Sequence, residues 1–141
     1  MSEPIFPRSP RETMSGWVHL PRFVDKIRLH LAGQLHADYQ PNFTKGFDGR
    51  WLAAAGVDAA SFIEVVKHSI TDGQVADWVR QHVRKSETEK RAFANGVLGY
   101  PPADDAAGQT RLRERKQQAG LAHRDDVRTF VDFIDADEKR I

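Results

Sequence analysis

Leu20, Phe23, Val24, Ile27, Leu31 and Leu35 recur at three- and four-residue intervals. That spacing gathers them into one apolar stripe of an α-helix and is incompatible with the two-residue period of a strand. It predicts a helix from Leu20–Pro21 to about Gly33. Proline is tolerated in the first turn, and glycine suits the left-handed residue that closes a helix. The same period returns behind further start signals. Phe62, Ile63 and Val66 follow Asp58, and Val75, Trp78, Val79 and Val83 follow Asp72. Ala92, Phe93 and Val97 follow a capping box at Ser86–Glu89, and Val127, Phe130, Val131 and Ile134 follow Asp125 or Asp126.

Trp51 through Gly56 reads as the end of a further short helix. Asp104 to Gln118 holds helix formers but Leu112 as its one large apolar residue, so that segment belongs on the surface. Ser9-Pro10-Arg11-Glu12 has the form of a capping box opening a short turn of helix. Residues 34–46, broken by Pro41 and Asn42 and anchored by Tyr39 and Phe43, read as an irregular loop. No segment has the pattern of a strand. The expected architecture is all-α: one compact domain over 9–141, built of about five to seven short helices. An extended arm, 1–8, should precede it, because Pro4, Pro7 and Pro10 recur every third residue. Phe23, Ile27, Leu31, Trp51, Phe62, Val66, Trp78, Val79, Phe130 and Ile134 are the expected core.

Composition removes several classes of function. With 141 residues the chain suits one domain. Its 21 Lys+Arg nearly balance 20 Asp+Glu, for a net charge of +1, which argues against a nucleic-acid coat. Cysteine is absent, so thiol catalysis, disulfides and cysteine-ligated metals fall away. No apolar run is long enough to cross a membrane, and Met1–Pro7 lacks the basic start and apolar run of a secretory signal. A cytoplasmic location is the expectation.

Polar chemistry concentrates between Arg22 and Arg50. Arg22, Lys26 and His30 stand four residues apart along one border of the apolar stripe, where successive turns bring side chains side by side. Such a row can hold a phosphate or carboxylate, the arginine by two-pronged hydrogen bonds and the lysine as a point charge. Lys45 and Arg50 could close over the same spot, with Asp48, Tyr39 and Asn42 orienting a polar ligand. The competing reading is internal: Arg22 and Lys26 pair with carboxylates such as Asp25 or those of the last helix. Asp25 and Arg28, three residues apart, could pair with each other. Of six histidines, His30 alone lies inside the cluster, and no two have the spacing of a zinc site. Asp132 and Asp135 share a helix face but match no calcium loop, so neither a metal nor a cofactor is expected.

Several of these stretches, namely Ser9-Pro10-Arg11-Glu12, Leu20-Pro21-Arg22-Phe23 with Asp25-Lys26, Lys45-Gly46-Phe47-Asp48 and Phe133-Ile134-Asp135-Ala136-Asp137, carry a resemblance. They resemble a family of small bacterial proteins known as a domain of unknown function. The resemblance implies a stand-alone bacterial domain and brings no activity, cofactor or catalytic residue with it. The leading functional expectation is therefore a non-catalytic module that recognises a small anionic ligand or a protein partner through Arg22, Lys26, His30, Lys45, Asp48 and Arg50. One alternative is an enzyme acting on an anionic small molecule, with His30 as general acid or base supported by Asp48 or Asp25. Another is a nucleic-acid accessory protein using the basic run Arg111–Lys116, which has no interleaved aromatic to stack a base.

Overall fold

A computed structural model describes residues 5–141. Residues 1–4, part of the expected arm, lie outside the described residues. Among the described residues there are seven α-helices and one two-stranded hairpin, so the mostly helical class holds. The chain divides into two compact units, Met1–Phe93 and Ala94–Ile141.

The first unit opens with a hairpin absent from the expectation. Strands β1 (Thr13–Met14) and β2 (Trp17–Val18) pair antiparallel, with Met14 opposite Trp17. Ser15 and Gly16 join them with φ of 52° and 81°, the pair of positive angles that a tight hairpin turn with right-handed twist requires. The expected helical turn at Ser9 is a correction. Ser9 accepts from the Arg11 amide at 3.1 Å, but the chain turns there and enters β1.

Helix α1 spans Leu20–Leu31 and buries Leu20, Phe23, Val24 and Ile27 completely. Leu31 is a second correction: at the end of the helix it is 44% exposed, and Leu35 beyond the helix is buried instead. Residues Ala37–Asn42 form a 3-10 helix within the expected loop. Helix α2 (Gly46–Ala55) follows and ends at Gly56 in the left-handed region. Helix α3 (Ala59–Lys67) is capped by Asp58, whose carboxylate accepts from Ser61 at 2.8 Å. Helix α4 (Asp72–His82) starts from a Thr71–Gln74 capping box, which makes Asp72 its first helical residue rather than its cap.

Helix α1 packs on α2, α3 and β1, and α3 packs on α4. Trp51 fills the centre, 4.8 Å from the Phe62 ring and 6.1 Å from those of Phe23 and Trp17. Trp78 is only half-buried.

Helix α5 (Glu87–Leu98) begins with the expected box, the Glu89 amide donating to Ser86 and the Ser86 amide to Glu89. In the second unit α6 (Ala106–Gln118) packs on α7 (Phe130–Asp137) around Leu112, Val127, Phe133 and Ala136. The start of α7 is a correction. Its cap is Thr129, which accepts from Asp132 at 3.1 Å, and Val127 is buried ahead of the helix. Phe133 and Ala136 therefore face the core, while Phe130 and Ile134 are half-buried.

Candidate functional site

Helix α1 brings two of the expected site residues inward. Lys26 is 5% exposed and its Nζ donates to Asp48 Oδ2 at 2.6 Å. Asp48, from the first turn of α2, is completely buried. Its other oxygen lies 2.6 Å from Nε2 of His19, the residue immediately before α1. The Thr44 amide also donates to Oδ2, at 3.1 Å. A carboxylate only accepts, so Nε2 carries the ring proton and neutral His19 is the Nε2–H tautomer. The remaining ring nitrogen, Nδ1, is buried with no hydrogen-bond partner.

The local fold makes this arrangement possible. His19 sits in the left-handed region with φ of 70°, its amide donating to the carbonyls of Pro10 and Glu12. Thr44 and Gly46 are also left-handed, with φ of 64° and 54°, and they turn the chain into α2. Gly49 leaves room for the Thr44 carbonyl, which would lie 3.2 Å from an added Cβ.

Electrostatics in the site follow from burial and from unequal charge. Burial, aided by the Lys26 and Arg22 cations, lowers the His19 imidazole below its ordinary value against the pull of Asp48. Burial also works to raise the Asp48 carboxyl. Donation from His19 and the charge of Lys26 outweigh it, so Asp48 stays ionised below the ordinary carboxylate range. The result is a buried Lys26–Asp48 ion pair with a neutral imidazole attached. A carboxylate-oriented imidazole with a bare nitrogen can accept a proton, yet at 2% exposure it meets no dissolved substrate in this arrangement.

Of the other expected site residues Arg22 reaches this group through its charge, and His30, Lys45 and Arg50 stand at the surface. Arg22 is 4% exposed, donates to the carbonyls of Pro7 and Arg8 at 3.4 and 3.2 Å, and lies under the Tyr39 ring. His30 is exposed, its ring 4.5 Å from that of Phe43. Lys45, just before α2, and Arg50 of its second turn are exposed, Arg50 above the Phe47 ring at 5.6 Å. Lys26 and Asp48 are thus brought together, Arg22 is buried against the carbonyls of Pro7 and Arg8, and His30, Lys45 and Arg50 are exposed. Lys26 pairs with Asp48, a carboxylate that the competing reading did not name.

Asp25 and Arg28 are linked through Arg8 and Asp72. Arg8 grips Asp25 with Nε and Nη2, both at 2.9 Å, and Asp72 with Nη1 at 2.8 Å. Arg28 reaches the other Asp72 oxygen at 2.6 Å. In the second unit the basic run is partly engaged. Lys116 donates to the carbonyls of Arg124 and Val127, Arg111 to the Tyr100 hydroxyl, and Arg113 to Thr110. Asp135 is paired with Arg140 at 3.1 Å. Among the described residues no three histidine, aspartate or glutamate side chains gather as a metal site, and no helix is long and apolar enough to cross a membrane.

Sequence reasoning missed His19. The readable signals were its place seven residues before Lys26, a spacing of about two helical turns, and the acid that ends the Lys45-Gly46-Phe47-Asp48 stretch.

Residues 5–140 match the family described as Domain of unknown function (DUF5069), and the chain belongs to that family. Comparison with curated proteins gives no match.

Proposed function

We propose that this DUF5069 protein is a non-catalytic recognition module that binds an anionic group, on a small ligand or a protein partner, at the outer edge of the Arg22–Arg50 region. One observation carries the reading: at the start of α2 the acid is buried and the cations are exposed. Asp48, the acid of α2's first turn, is withdrawn onto Lys26 and His19, while Lys45 just before the helix and Arg50 just after that turn remain exposed. No side chain caps α2 at Lys45, so the partial positive charge of the helix start adds to theirs. His30 and His36 lie in the preceding segment, where Asp38 is the exposed acid.

The enzymatic alternative draws less from the geometry. It asks for His30 beside Asp48 or Asp25, and those carboxylates are held by His19 and Lys26 and by Arg8. The resemblance to small bacterial proteins supports reading the protein as bacterial, and a chain without cysteine suits a reducing cytoplasm.

Thermal melts with inorganic phosphate, succinate or an acidic peptide test the site, since a ligand that binds only the folded state raises the melting temperature by mass action. A rise with phosphate and succinate marks a small-ligand site, and a rise with the peptide alone marks a protein partner. Lys45→Ala with Arg50→Ala should abolish the rise and leave the unliganded melt unchanged. A melt indifferent to all three probes, or a response that survives the double substitution, refutes the proposal.

A further inference from the structure

His19 is the buried group that the anion-binding reading leaves unused, and its surroundings make protonation a structural event. Nε2 already carries a hydrogen toward Asp48, so a second proton must go to Nδ1. In the closed arrangement that new N–H has no acceptor. The charged groups reaching His19 are Asp48 from α2 and Lys26 and Arg22 from α1. The chain ahead of the hairpin meets it through the Pro10 and Glu12 carbonyls, and the Glu12 side chain is exposed. An imidazolium would therefore be a third cation around one carboxylate, with an unsatisfied buried donor. Water must reach Nδ1 before the charge can be held.

One wall of the His19 site stands at the surface. Phe47 packs edge-on against the His19 ring at 5.8 Å and is only half-buried. It belongs to the segment that enters α2 through the left-handed Thr44 and Gly46. That segment is fastened here by Asp48, through its bonds to Lys26 and the Thr44 amide. Lys45 precedes Phe47 in the chain, and Arg50 lies over the Phe47 ring.

We infer that His19 is a proton-operated positioning residue for the Thr44–Arg50 segment: neutral, it holds the segment down through Asp48, and protonated, it releases Phe47 together with the Lys45 and Arg50 side chains. The consequence for ligand binding rests on the anion-site reading. The release itself does not.

Amide hydrogen exchange of the full chain without added anion, corrected for the intrinsic pH dependence of exchange, reads the release directly. Opening of residues 44–49 should rise several-fold as pH falls below 6.5, the ordinary histidine value, while α3 stays protected. His19→Gln keeps an N–H for Asp48 and cannot titrate, so it should show no rise. If that variant does not fold, an NMR titration of wild type serves instead, with the Thr44 amide shift tracking protonation of Nδ1. Exchange that is flat with pH, a rise retained in His19→Gln, or α3 opening in step with residues 44–49 overturns the inference. So does a Thr44 shift that ignores the His19 titration. Melts with inorganic phosphate at pH 7.5 run separately: no response there refutes the anion site and leaves the exchange result standing.

Discussion

Lys26 and Asp48 meet at 2.6 Å in a site where the two side chains are 7% and 0% exposed, one from the second turn of α1 and the other from the first turn of α2. Each charge depends on the other for its place indoors. The carboxylate also receives His19 and the Thr44 amide, so three other chain positions converge on one side chain.

Removing the shared anion should therefore be severe. Asp48→Ala leaves the Lys26 ammonium buried without a counter-charge, and breaking a buried pair from one side costs about 3–5 kcal/mol. Urea unfolding measures it. Lys26→Met combined with Asp48→Leu should recover part of that loss, because no uncompensated charge remains. A double variant less stable than Asp48→Ala would show that the site is held by its hydrogen bonds to His19 and Thr44 rather than by charge balance.

Arg8 gives a milder and salt-sensitive case. Its guanidinium bridges Asp25 of α1 and Asp72 of α4 while remaining about a third exposed, at 32%. Arg8→Ala is expected to lower stability by about 1–2 kcal/mol, since exposure and screening weaken each of its charge-assisted bonds. Melting both proteins at low ionic strength and again in molar salt should narrow their difference, because the Debye length shrinks to about 3 Å. A gap unchanged by salt would assign the effect to packing of the arginine stem.

Helix α1 could be read from the sequence because its stripe is long and its ends are marked by Pro21 and Gly33. The hairpin could not, since strands of two residues are too short to show alternation, and Ser15-Gly16 was its sole turn signal. At the other end Val127 stands four residues before Val131 and seven before Ile134, which extends the helical period past the real start of α7. Thr129 with Asp132 is the true cap. The buried site was half legible. A lysine bordering an apolar stripe drew attention to Lys26, whereas its carboxylate lies 22 residues away and the His19–Asp48 contact spans 29. Nothing local in the sequence encodes such pairings.

The shifted face of α7 has its own test. Phe133 is 7% exposed and packs with Leu112 and Val127, whereas Phe130 is half-buried and stacks on Tyr100 at 5.8 Å. Truncating a fully buried phenylalanine costs about 3–5 kcal/mol, and a half-buried one loses less transfer free energy and leaves a smaller cavity. Phe133→Ala should accordingly destabilise the protein more than Phe130→Ala in chemical unfolding. The reverse order would restore the face expected from the sequence.

Acid should weaken the protein in two stages, and the sign follows from the two groups of the buried site. His19 titrates below its ordinary 6.5 in the folded chain, so as pH falls past 6.5 the unfolded chain binds this proton first and stability declines. One such proton limits the slope to about 1.4 kcal/mol per pH unit. Once the Thr44–Arg50 segment opens and His19 protonates in the folded chain as well, this loss should level off. Asp48 adds the second stage. Its carboxyl lies below the ordinary 3.8, so its contribution is fully present above that value and is lost as pH falls through the lower folded value. Chemical unfolding across pH 7.5 to 3 should thus show a shallow decline, a shoulder and then a steeper fall to which other paired carboxylates, Asp72 among them, contribute. In His19→Gln the shallow stage should vanish and the steep one remain. If the variant kept the shallow stage, another of the six histidines would have to be its source.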